Sequence, residues 1–150
     1  MTLDHSRTLL RENLNGLAAA RRHLDFSYRR VAAFPPDLKQ VQGDQLESAE
    51  AFTSRFARAV DLLVNKVLRS LDHVELRPEG TLLDVVQGAE KRGLIPRADL
   101  LREMKGVRNA IAHDYAGNRL PEIFAYCREQ KPVFDAVCDR VEAYVRQLPE

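Results

Sequence analysis

The chain has 150 residues, 45% hydrophobic and 30% charged, which is enough apolar material for one domain over residues 1–150 and excludes a disordered chain. Its 23 basic and 22 acidic residues leave a formal charge of +1, which excludes a strongly basic coat protein but not a local nucleic-acid site. Trp is absent, Gly and Pro number only 7 each, and the rest of the composition favours helix over sheet.

Leu3, Leu10, Leu17, Leu24 and Val31 recur every seven residues, with Leu14 and Tyr28 between them, and predict one long amphipathic helix. Arg21 interrupts its second stripe; such an arginine usually lays its stem on the core and sends its head to water, and less often points into a polar site. Pro35 and Pro36 end the helix, because Pro cannot continue the hydrogen-bond ladder. After a connection over residues 35–43, Asp44 and Glu47 have the spacing of a capping box and open a second helix. Its stripe is Ala49, Phe52, Phe56, Val60, Leu63, Val67 and Leu71. Pro78 and Gly80 break the chain, and Thr81 with Asp84 begins a shorter helix to about Arg92. A further stop at Gly93-Leu94-Ile95-Pro96 precedes a fourth helix from near Arg97 to about His113. Beyond the turn at Ala116-Gly117-Asn118, a last helix carries Ile123, Cys127, Phe134, Val137, Val141, Tyr144 and Leu148 at heptad spacing, with Gln130 in the remaining slot. No segment alternates with period two, so the expected fold is all-α, an up-and-down bundle of about five helices.

No segment approaches the roughly 18 apolar residues of a membrane span, and the first residues carry no secretory apolar stretch. If Cys127 and Cys138 share a helix, they lie about 16 Å apart along its axis, beyond the reach of a disulfide. They read as small core hydrophobes of a reducing compartment, so the expected location is the cytoplasm. His5, His23, His73 and His113 are scattered, and neither a phosphate-binding loop nor a CxxC pair occurs, so no metal and no cofactor are expected.

The stretch that can carry chemistry is Met104 to Tyr115, which gathers Arg108, Asn109, His113, Asp114 and Tyr115 at the end of an amphipathic helix. Leu100, Met104, Val107 and Ile111 share one arc and should face the core. At about 100° per residue, Asn109 and His113 fall about 100° and 140° from Arg108. That set suits a phosphodiester. Arg108 can grip a phosphate through parallel N–H bonds and stabilise charge on its oxygens. Imidazole is the side chain that ordinarily titrates near neutral pH, so His113 can take or give a proton. Asn109 can orient the imidazole or a ribose hydroxyl, and RNA brings its own nucleophile in the 2′-OH. Arg108 and His113 are splayed on the wheel, so one copy looks like half a site that a symmetric dimer completes. Composition alone favours a plainer reading over catalysis, with an Arg and a His placed to suit a helix C-terminus and Asp114 and Tyr115 as ordinary solvated residues before the Gly117 turn.

Arg108-Asn109-x-x-x-His113-x-Tyr115 resembles the R-x4-H-x-Y motif of HEPN-domain proteins, in particular the HepT-like toxins. It is similar also to the related small helical proteins described as substrate-binding partners of nucleotidyltransferases. Gly93-Leu94-Ile95, Met104-x-Gly106 and Leu120-Pro121-Glu122-Ile123 resemble the surroundings of that motif, so the likeness is sharp over about residues 93 to 124. The resemblance implies a helical bundle that forms a homodimer, in which two motifs line a shared cleft where RNA is cut without metal. It implies Arg108 and His113 as the catalytic residues and Asn109 as their polar support. It also implies a cognate minimal nucleotidyltransferase antitoxin, which in some pairs adds AMP to the motif tyrosine, here Tyr115. The alternatives are a noncatalytic partner of the nucleotidyltransferase and a purely structural helical module. Within residues 44–71, Glu47, Glu50 and Asp61 are candidates to face the motif, and Arg55 with Arg58 is a candidate RNA strip, as are Arg21, Arg22, Arg29 and Arg30.

Overall fold

Helix α1 (Leu3–Val31) begins at Thr2, whose hydroxyl accepts the His5 N–H at 3.1 Å. In the computed structural model, which describes residues 2–35, 38, 41–114 and 117–149, the heptad leucines of α1 do what their spacing predicts. Leu10, Leu17, Leu24 and Val31 are buried, and only Leu3 in the first turn is exposed. Arg21 takes the less usual of its two expected settings, a polar site. Its guanidinium does not reach for water but bridges to Asp135, Asp139 and Glu142 at 3.1–3.4 Å, on a helix more than a hundred residues away.

Helix α2 (Asp44–Leu62) runs without a break into a π-helical segment, π1 (Leu63–Leu68), and then into α3 (Arg69–Val74). The expected capping box at Asp44 and Glu47 does not form. Gly43 takes the cap position at φ +61°, open to glycine, and Asp44 falls inside the helix. Both acids still sit in the first turn, where they favour the helix dipole. The same spacing at Thr81 and Asp84 does make a full capping box, which starts α4 (Leu82–Lys91). The π segment was not foreseen. It is braced where Ser70 donates its hydroxyl to the Lys66 carbonyl at 2.7 Å and Asn13 of α1 donates to Ser70 Oγ at 2.6 Å.

The expected fourth helix is two pieces, α5 (Ala98–Lys105) and α6 (Val107–Ala112), separated at Gly106. A Cβ at Gly106 would lie 3.2 Å from the Glu103 carbonyl oxygen, tighter than side chains normally tolerate. The last helix, α7 (Leu120–Arg146), follows Gly117. No strand occurs among the described residues, and the chain is an all-α bundle.

The core is stitched from α1, α2 and α7. Phe52 meets Phe124 edge to face at 5.8 Å, and Phe56 packs on Phe134 at the same distance. Helices α5 and α6 lie against α2, and α4 covers π1 and α5. Cys127 and Cys138 are buried among these side chains, and burial pushes the Cys127 thiol up to about 12, out of the reactive range. Lys131 is buried too, held by Asp25 and Asp135. Among the described residues no helix is long and apolar enough to cross a membrane.

Among the described residues, one non-glycine backbone position is strained. Leu76 closes α3 at φ +59°, with its N–H on the His73 carbonyl and the Arg77 N–H on the Asp72 carbonyl. That bond pattern is a helix stop that normally uses glycine. Leu76 is 82% exposed, so it loses little by removal. Leu76→Gly is expected to stabilise the fold by about 1 kcal/mol, since the left-handed penalty of a side chain exceeds the chain entropy that glycine adds. Urea denaturation measures it, and an unchanged or lower midpoint contradicts it.

Candidate active site

The break at Gly106 starts α6 afresh, and its short wheel sorts the motif. Val107 is buried and Ile111 half-buried against the core, which leaves Arg108 and Asn109 on the outer side. His113 ends the helix with φ −93° and ψ 0°, its N–H bonded to the Asn109 carbonyl at 3.0 Å, and its residue is exposed. Tyr115 lies outside the described residues. Asp114 is no mere solvated residue. Its carboxylate accepts the Arg119 N–H at 3.0 Å and its carbonyl accepts the Gly117 N–H at 3.2 Å, which ties the motif's end to the start of α7.

Asp61 resolves which acid of α2 faces the motif. Its Oδ2 accepts from Arg108 Nη1 at 2.8 Å, and its Oδ1 from Lys105 Nζ at 2.5 Å and Asn65 Nδ2 at 3.2 Å. Glu47 and Glu50, both exposed, make no such contact with Arg108. One carboxylate of α2 thus holds three donors, from α5, α6 and the π segment. The carboxylate itself is largely covered at 23% side-chain exposure, while Arg108 is 68% exposed. Arg108 is consequently anchored by one edge with donors left toward solvent, the form in which guanidinium grips a phosphate. Arg55, by contrast, turns to α1 and bonds the Ser27 hydroxyl at 2.8 Å and the His23 carbonyl at 3.2 Å.

Two open grooves flank Arg108. One, of about 560 Å³, is lined by Ser54, Arg58, Asp61, Asn65, Lys66 and Ile111 among others. The other, of about 540 Å³, is lined on the far side by Asp99, Arg102, Glu103, Gly106 and Asn109, with Leu82 and Lys105. Arg108 stands on the ridge between them, and Asn109 faces the second. Lys105, Asn65 and Lys66 were not singled out from the sequence. Asn65 lies one turn after Asp61, which is the only local sign of it. Among the described residues no three His, Cys, Asp or Glu side chains gather as metal ligands.

A search of curated proteins and of solved structures finds no match to the chain. The family model described as Ribonuclease HepT-like matches residues 19–141, which takes in the later part of α1, all of α2 through α6, most of α7 and the whole Arg108–His113 stretch. The chain therefore belongs to the HepT-like ribonuclease family.

Proposed function

We propose that the protein is the toxin of a two-component module, a metal-independent endoribonuclease that works in the cytoplasm as a homodimer with Arg108 and His113 as its catalytic residues. The observation that carries this is the setting of Arg108. It is fixed by Asp61 at 2.8 Å, keeps its outer edge open on a groove, and stands five residues before the exposed His113.

The chemistry follows from those groups. An imidazole takes the proton of the ribose 2′-OH, and the 2′-oxygen attacks the adjacent phosphorus. Negative charge grows on the phosphoryl oxygens, where Arg108 meets it with charge-assisted hydrogen bonds. The P–O5′ bond then breaks and the leaving oxygen takes a proton from a second imidazole. The products are a 2′,3′-cyclic phosphate and a 5′-hydroxyl. One copy offers one such histidine in the motif, and two proton transfers call for two, so a symmetric pair supplies both. Asn109, on the groove beyond the ridge, orients the ribose or base.

The test is incubation of RNA with the purified protein in excess EDTA and identification of the new ends. Cyclic phosphate and 5′-hydroxyl ends are expected. Activity that chelation abolishes, or 5′-phosphate ends, overturns the mechanism.

The proposed antitoxin is a minimal nucleotidyltransferase that adds AMP to Tyr115. Nucleotides at that position bring negative charge and bulk close to Arg108 in sequence, where they compete with RNA phosphate. Intact mass after co-expression with such an enzyme is expected to rise by whole AMP units, and Tyr115→Phe is expected to remove the increase. An unchanged mass with an active transferase contradicts it.

A further inference from the structure

The groove on the α2 side of Arg108 carries more cation than its one acid can balance. Asp61 is already engaged by Lys105 and Arg108. Arg58 and Lys66 line the same groove, both are exposed, and neither has an acidic partner among the described residues. Arg55, three residues before Arg58, spends its guanidinium on α1 and so does not join them. Ala57, Leu62 and Ile111 give the groove apolar wall between the charges.

The placement of Lys66 is fixed from behind. It belongs to π1, and its carbonyl is held by the Ser70 hydroxyl at 2.7 Å, with Asn13 of α1 donating to the same oxygen at 3.4 Å. Backbone tied on the inner side leaves the side chain of Lys66 on the groove. Eight residues separate Arg58 from Lys66, about 12 Å along a helix axis, and Arg108 reaches Asp61 between those two levels. Three cations in a row beside apolar wall match a strand whose phosphates meet charge while its sugars and bases lie on carbon.

We propose that single-stranded RNA runs along this groove, with phosphates beside the scissile one held by Arg58 and Lys66 and the strand crossing the ridge at Arg108. The track rests on the ribonuclease proposal for its ligand but on different residues for its evidence. Arg58 and Lys66 are binding residues with no part in bond breaking, so they set affinity and salt dependence.

The experiment is fluorescence anisotropy with a labelled 2′-O-methyl RNA oligonucleotide, which lacks the nucleophile and is not cut. The full chain is compared with R58Q, K66Q, the double variant and R140Q. Arg140 is exposed on α7 and lines neither groove. Each groove substitution is expected to lower the slope of log affinity against log salt by about 0.7, and the double variant by about 1.4, with roughly tenfold or greater loss of affinity at fixed salt. R140Q is expected to match the wild type. Melting curves of all variants confirm that the fold is kept. Equal affinity and slope in the double variant overturn the track, as does absence of RNA binding by the wild type. Cleavage of unmodified RNA is followed in parallel. Binding that depends on Arg58 and Lys66 without any cleavage keeps the track and removes the ribonuclease mechanism. Cleavage with binding indifferent to both removes the track alone.

Discussion

Arg92→Ala is expected to destabilise the fold by about 3–5 kcal/mol. Arg92 follows the last residue of α4, and its side chain is only 2% exposed. Its Nη2 lies 2.8 Å from Asp72 and its Nε donates to Glu75 at 2.7 Å, so it neutralises two acids at the end of α3. Tyr144 of α7 donates to the same Glu75 carboxylate at 2.8–2.9 Å. The cluster therefore ties α3, α4 and α7 together, and removing the guanidinium leaves two partly buried carboxylates side by side without their counter-charge. A fall in Tm of roughly 6–20 °C by thermal denaturation is the expected readout. A shift under about 1 °C contradicts the network.

The same cluster sets part of the acid limb. Burial pushes the Glu75 carboxyl up, but the hydrogen bonds from Tyr144 and Arg92 outweigh it and hold the group below its ordinary value of 4.5. A depressed carboxyl contributes stability that is fully present above the unfolded value and is lost as pH falls through the folded one. The stability of the wild type thus falls below about pH 4.5, and in Arg92→Ala that fall is shallower because one of the two hydrogen bonds is gone.

The second large effect is on chemistry. Arg108→Ala is expected to lower RNA cleavage by about 10²–10³, the usual consequence of losing a donor aimed at developing charge. His113→Ala is expected to lower it by about 10²–10⁴ through loss of proton transfer. Neither change should unfold the protein, because both residues are exposed. Asp61→Asn separates position from charge. It keeps an acceptor for Arg108 while removing the negative charge beside it, so it is expected to cost less than Arg108→Ala.

The long helices and the motif were legible because their signals are local. Heptad leucines place the buried face of α1, and Arg108, Asn109 and His113 sit within six residues at a helix end, where the structure puts them. What was not legible depends on contacts between distant segments. The acids that hold Arg21 come from α7, and nothing near Arg21 announces them. Asp61 could not be separated from Glu47 and Glu50 by periodicity, since the choice depends on where α6 crosses α2. Two capping patterns of equal spacing had opposite outcomes, because Gly43 at positive φ displaced Asp44 from the cap while Thr81 kept it. The π segment and the break at Gly106 leave no mark in the hydrophobic periodicity, yet Lys66 of the one and Arg108 just after the other line the groove.

The central claim is that this fold cuts RNA with its own side chains at Arg108 and His113. The most direct measurement is the single-turnover cleavage rate of one RNA by wild type, Arg108→Ala and His113→Ala in excess EDTA, with matched melting curves. The expected result is cleavage by the wild type, ending in a 2′,3′-cyclic phosphate, with each variant folded and slower by at least about a hundredfold. Equal rates in all three proteins would contradict it.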